Sequence, residues 1–253
     1  MADTPDVTAP APEELRQLLD IHHPASVLGR LTVAAGLPDP LPVELVVCQA
    51  EALIDLDRSA AALDLLNAHA DRLQAVTSLT VQAQGLNLQA LILNRAGWHD
   101  AAVLLALQAA GAAQDDDSRA LALVNAAAGY ACKNCWGLSD QYLRDALELS
   151  PTNPRVLAAQ ARIRLEADQR LEARSVYERL AELPAPWARP VALWGLAYTA
   201  YLLGEFGLAE NQARAALMLS NEYVPAIFTL AQVALVRGDL PGLHQALFSG
   251  FCD

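Results

Sequence analysis

The sequence predicts an all-α chain, built as a solenoid of antiparallel helix hairpins. Three observations predict it: an apolar surface made mostly of Ala and Leu, small residues that recur at intervals of 34 to 40, and turn-forming Gly and Pro between the recurring segments.

Composition favours helices over sheets. Of the 253 residues 54% are hydrophobic, only 6% aromatic and 18% charged. Small apolar residues suit helices that approach one another closely and carry high helix propensity. The net charge of −12 and pI near 4.7 exclude sequence-independent binding to nucleic acid, which needs clustered Lys and Arg; the 17 basic residues are spread along the chain. The acidic balance reads as a solvated face and favours a basic or neutral partner over a strongly acidic one.

Along the chain, the acidic, Pro-rich opening MADTPDVTAPAPEEL has neither the basic nor the apolar region of a secretory signal, and residues 1–11 are expected to be a disordered tail. No apolar run reaches the roughly 20 residues that a membrane span requires, so a cytoplasmic protein with no membrane partner is expected. Residues 12–40, interrupted by Pro24 and closed by Gly36, Leu37 and Pro38, form an expected N-terminal helical cap; residues 41–253 form the repeat domain.

Within the repeat domain the small residue near the middle of each first helix recurs as Ala50, Ala90, Ala127, Ala161, Ala197 and Ala231. A second register, early in each second helix, follows through Ala62, Ala102, Ser139, Ala173, Ala209 and Leu243. Each hairpin carries an apolar stripe on both helices that it cannot bury alone, so neighbours stack. Gly97, Gly204 and Gly238 suit tight turns inside hairpins, and Pro151, Pro154, Pro184, Pro186 and Pro190 punctuate the breaks. The run Asp115 to Asp117 precedes a helix, where negative charge meets the positive end of the helix dipole.

Three segments, GWHDAAVLLALQAAG from Gly97, YLRDALELSPTNP from Tyr142 and LGEFGLAENQARAAL from Leu203, resemble tetratricopeptide repeats, whose length is about 34 residues. The resemblance covers Val43 to Ser249. Trp136 and Gly137 replace the usual polar turn, Ser139 stands at an Ala position, and no Pro follows Leu219. The resemblance implies a right-handed solenoid of about five to six tetratricopeptide-like hairpins, in which first helices line the concave surface. It implies a scaffold that holds another polypeptide. The two-carboxylate clamp of some family members is not carried over, because its lysines are missing here.

Candidate groove residues therefore lie on first helices. Asn87, Asn94 and Arg95, with Asn125 on the next first helix, form a hydrogen-bonding stripe, and Arg162 a mixed one. Trp194, Tyr198 and Tyr201 form an aromatic stripe, extended by Phe228 and Gln232. Two readings of the stripes stand together, a binding groove and ordinary packing or solvated surface. The last segment offers Leu243, Leu247, Phe248 and Phe251 on more than one side of a short helix, where a solenoid normally ends in a polar cap; this points to a homodimer as an alternative.

Catalytic apparatus is not visible: no G-x-S-x-G, phosphate loop, H-E-x-x-H, G-x-G-x-x-G or paired-carboxylate motif occurs. Cys132 and Cys135 form a C-x-x-C, a candidate thiol pair that a redox or metal role would need, but no second ligand pair and no βαβ context accompanies it. The expectation is a non-enzymatic protein with no cofactor and no metal, bound to a protein or peptide partner.

Overall fold

A computed structural model describes residues 10–20, 24–33, 41–220 and 223–248. Most of the expected tail, residues 1–9, lies outside the described residues. Every regular element among the described residues is a helix: α1 (Pro12–Asp20), α2 (Pro24–Val33), α3 (Val43–Asp55), α4 (Ser59–Ala68), α5 (Ala70–Ala75), α6 (Leu79–Arg95), α7 (His99–Ala112), α8 (Asp116–Cys132), α9 (Trp136–Leu149), α10 (Pro154–Glu166), α11 (Arg170–Ala181), α12 (Ala188–Leu202), α13 (Phe206–Leu219), α14 (Val224–Arg237) and α15 (Leu240–Phe248). None of them is long and apolar enough to cross a membrane. The chain divides into two compact units, residues 1–149 and 150–253.

In the first unit α1 and α2 pack on α3, and the hairpins α3/α4, α6/α7 and α8/α9 follow. The second unit holds the hairpins α10/α11, α12/α13 and α14/α15. First helices also touch the next first helix, α6 with α8, α10 with α12 and α12 with α14, which is what stacking of hairpins requires.

The core follows the two small-residue registers. Ala50, Ala90, Ala127, Ala161 and Ala197 are completely buried, and Ala231 nearly so; Ala62, Ala102, Ser139, Ala173 and Ala209 are completely buried too. A residue without a long side chain at each crossing lets two backbones approach, and larger groups fill the space between: Val47, Leu66, Leu88 and Ile92 in the first unit, Leu157, Ile163, Tyr177 and Leu180 in the second. Each fully buried Leu or Ile contributes about 1.5–3 kcal/mol relative to exposure.

A third register sets the turns. Asp57, Gly97, Asn134, Asp168, Gly204 and Gly238 all have positive φ, between 58° and 84°. Each ends the first helix of a hairpin, and the next residue donates its backbone N–H five residues back: Arg58 to Leu53, Trp98 to Leu93, Cys135 to Tyr130, Gln169 to Arg164, Glu205 to Ala200 and Asp239 to Ala234, at 2.8–2.9 Å. This is the Schellman closure, in which a left-handed residue recaptures an orphan carbonyl. Gly adopts it at no steric cost, and Asn and Asp tolerate it.

Helix starts use side chains where the sequence supplies them. Asp115 accepts from Ser118 N–H at 2.7 Å ahead of α8, and Asn153 accepts from Arg155 N–H at 2.9 Å ahead of α10, with Pro154 at the first helical position. The second helix of the first repeat is broken at His69 into α4 and α5, which accounts for the longest interval, 40 residues, between Ala50 and Ala90.

Candidate functional site

The polar stripe of the first unit is tied to itself. Asn94 Nδ2 donates to the Asn125 backbone carbonyl at 2.8 Å, and Asn125 Nδ2 donates to Asn87 Oδ1 at 2.8 Å. Asn125 is buried, 9% exposed, so its amide acts chiefly as a bridge between α6 and α8. Asn87 and Asn94 are half-buried, and Arg95 is exposed at the end of α6. Asn94 Oδ1 is buried with no hydrogen-bond partner in the chain and lies against Gly129, where a Cβ would sit 3.0 Å from it and 2.6 Å from Val103 Cγ2. Gly129 thus leaves the room that lets α8 approach this amide. Spacing alone puts the three Asn on facing stripes; it does not reveal that they bond to one another.

In the second unit the aromatic stripe is a ladder. Trp194 and Tyr198 stack with ring centroids 6.1 Å apart and planes 17° apart, and Tyr198 and Tyr201 follow at 6.3 Å and 19°. Tyr177, from α11, meets Trp194 edge-on at 6.5 Å, Tyr223 meets it edge-on at 6.2 Å, and Phe206 of α13 leans on Tyr201 at 6.0 Å. Trp194 and Tyr223 pack against the alanine core of Ala197, Ala213, Ala216 and Ala226, and Tyr201 against Ala200, Ala209 and Val233. One edge of the ladder is therefore core. Trp194, Tyr198 and Tyr201 nevertheless stay half-buried, with ring surface open to solvent.

Tyr177 and Tyr223 escaped the sequence reading because they lie off the first helices. Among the described residues Tyr177 is the largest fully buried side chain, and its ring occupies the space a side chain at Gly195 would take. Burial pushes its phenol well above the usual value, and burial pushes the Tyr223 phenol up to about 12. Arg162 of α10 is paired with Glu166 at 3.1 Å; both are exposed. On α14, Phe228 is 59% exposed, and Val224 and Leu235 on the same stripe are exposed beside it; Gln232 between them is half-buried. By the 34-residue interval Phe228, Gln232 and Leu235 are the counterparts of Trp194, Tyr198 and Tyr201.

At the last hairpin a cavity of about 470 Å³ opens among α13, α14 and α15, with Leu217, Met218, Leu230 and Val233 in its walls. Glu210 there accepts from Arg214 at 3.0 Å and from Arg237 at 2.5 Å, and these bonds, led by Arg214, hold its carboxyl below the usual range. Leu243 is half-buried; Leu247 and Phe248 belong to α15, and Phe251 lies outside the described residues.

Cys132 and Cys135 are exposed and unbridged, Cys132 at the last position of α8 and Cys135 just before α9. Asn134 between them takes the left-handed turn conformation, and Lys133 is paired with Asp100. Cys48, by contrast, is buried, which pushes its thiol up. No group of three or more His, Cys, Asp or Glu able to hold a metal occurs among the described residues.

No family model matches the sequence, and no curated protein does. Solved structures do resemble the fold. The APC/C hetero-tetramer Cut9-Hcn1 matches with a TM-score of 0.66 at 14% identity, over 96% of this chain and 46% of that one, so this chain spans under half of that neighbour's length. A tetratricopeptide repeat protein from Parabacteroides merdae matches at 0.59 and 14% identity, over 94% of this chain and 91% of that one. NprR in complex with its cognate peptide NprX matches at 0.54 and 14% identity, over 94% and 74%. With its stacked helix pairs and repeating left-handed turns, the chain has the tetratricopeptide-like helical-repeat fold, an all-α solenoid.

Proposed function

We propose that this chain is a non-enzymatic, cytoplasmic interaction scaffold that binds a peptide or a protein surface on its first helices, with Trp194, Tyr198 and Tyr201 as the anchoring wall. The half-open aromatic ladder carries this reading. Rings already held in place by Tyr177, Tyr223 and Phe206 lose little freedom when a ligand covers them, and Trp and Tyr supply large contact area at low entropic cost. A fold shared with a protein crystallised with its cognate peptide, and with a subunit of a hetero-tetramer, supports it further. On this reading the Asn87, Asn94 and Asn125 amides serve chiefly to fix α6 against α8, and Gln232 flanks the ligand.

Selection of a displayed peptide library on the full chain tests the proposal. Selected peptides should lose at least tenfold in affinity to Trp194→Ala and Tyr198→Ala variants that keep their circular dichroism. Binders indifferent to both variants would sink the assignment.

A second reading, self-association through the last hairpin, is favoured by one observation. Met218, Leu235, Val236 and Leu240 are exposed by 52–87% around α13 to α15. Leu243, Leu247, Phe248 and Phe251 would join that contact. Light scattering that reports a monomer at high concentration counts against it.

A further inference from the structure

The net charge of −12 hides a segregation. Residues 1–149 hold 8 of the 17 basic and 19 of the 29 acidic residues, a balance of −11; residues 150–253 hold the other 9 and 10, a balance of −1. Within the second unit the first helices go further. Helices α10, α12 and α14 carry Arg155, Arg162, Arg164 and Arg189, besides Arg237, which is tied to Glu210 of α13, against a single acid of their own, Glu166, which is tied to Arg162. The remaining acids of this unit lie on α11, on α13, in the connections and in the last residues.

Two of these arginines share one face of α10, the first helix next to the ladder. Arg155 and Arg162 are two helical turns apart on α10, and α10 packs on α12, the helix that carries Trp194, Tyr198 and Tyr201. Next to them run the rings of α12 and the exposed Val224, Phe228 and Leu235 of α14, with no carboxylate on either helix. A basic ligand segment would find aromatic surface here but no free counter-charge. An acidic one finds a guanidinium that can exchange its partner Glu166 for a ligand carboxylate, in a bidentate geometry that Arg favours.

We infer that the first-helix face of the second unit selects a segment whose apolar side chains are flanked by Asp or Glu, although the protein as a whole is acidic. The inference rests on the proposed binding role and adds the chemistry of the partner. At physiological ionic strength the Debye length is about 8 Å, so the charge next to the ladder outweighs more distant charge.

Two synthetic peptides separate the outcomes: acetyl-Glu-Glu-Leu-Phe-Leu-Phe-Glu-Glu-amide and its counterpart with Lys at each Glu. Binding to the full chain is measured by fluorescence anisotropy of labelled peptides in about 0.15 M salt. The Glu peptide should bind at least tenfold tighter than the Lys peptide, Arg162→Gln should reduce that ratio at least threefold, and Tyr198→Ala should weaken the Glu peptide at least tenfold. Equal binding of both peptides, tighter binding of the Lys peptide, or no binding of either overturns the inference. If both bind equally and Tyr198→Ala weakens both, the ladder remains a binding wall and only the preference for acid is lost.

Discussion

The ring of Tyr177 lies directly against the backbone of Gly195, in space that any Cβ there would share. The contact is what lets α11 and α12 approach while the phenol stays buried, and it also seats Trp194 against the Tyr177 edge.

Gly195→Ala should therefore destabilise the second unit. Overpacking a buried contact costs about 1–3 kcal/mol, and the better helix propensity of Ala returns about 1 kcal/mol, so a net loss of up to about 2 kcal/mol is expected in urea unfolding. Adding Tyr177→Leu to Gly195→Ala should make the two effects less than additive, because the ring that clashes is gone. Full additivity would mean that the two residues do not share the space.

Ser139→Ala should stabilise the first unit. The Ser139 hydroxyl is completely buried with no hydrogen-bond partner, at a register position held by Ala in the equivalent helices α4, α7, α11 and α13. Removing an unsatisfied hydroxyl and gaining helix propensity should raise stability by about 1 kcal/mol, read as a higher denaturant midpoint. A fall would show that the hydroxyl has a partner.

Asn125→Ala should weaken the α6 to α8 contact by about 1–3 kcal/mol, since Asn87 Oδ1 loses its donor in a half-buried place. Hydrogen exchange should speed first in α6 and α8. An unchanged midpoint would make the amide bridge incidental.

Alkali should loosen the second unit. Tyr177 and Tyr223 have phenols raised by burial above the ordinary value of 10.0, Tyr223 to about 12. A group raised in the folded state contributes stability in full below its unfolded value and loses it as pH rises through the folded value. The unfolded chain releases these protons from about pH 10 while the folded chain still holds them, so the denaturant midpoint should fall as pH rises from about 10 to about 12. Tyr223→Phe should shrink that fall, and an identical fall would assign it to other groups.

Much of this architecture is legible in the residues, and the rest is hidden for identifiable reasons. Ala90, Ala127 and Ala161 mark helix crossings because a close backbone approach demands a small side chain, and that demand leaves a period. Gly97, Gly204 and Gly238 mark turns for the same steric reason, but Asp57, Asn134 and Asp168 occupy the same conformation without announcing it, since polar residues also serve many ordinary loops. The break at His69 has no Gly or Pro to signal it. At the candidate site, helical spacing aligns Trp194, Tyr198 and Tyr201 but is silent on Tyr177 and Tyr223, which reach the ladder from elsewhere in the chain. Net charge, being a sum, conceals the arginines of α10, α12 and α14.

The six left-handed turns have a consequence for how such a chain comes into being and how it changes. Each closes over a few residues, and the hairpin it closes packs on elements adjacent in sequence, so little loop entropy must be lost before a contact forms and a low contact order places folding toward the rapid end of the range. Since the turns recur with the same backbone geometry, a block running from one turn to the next, when duplicated or excised, rejoins the chain at matching ends, and array length becomes a quantity that can drift in whole repeats while each junction stays intact.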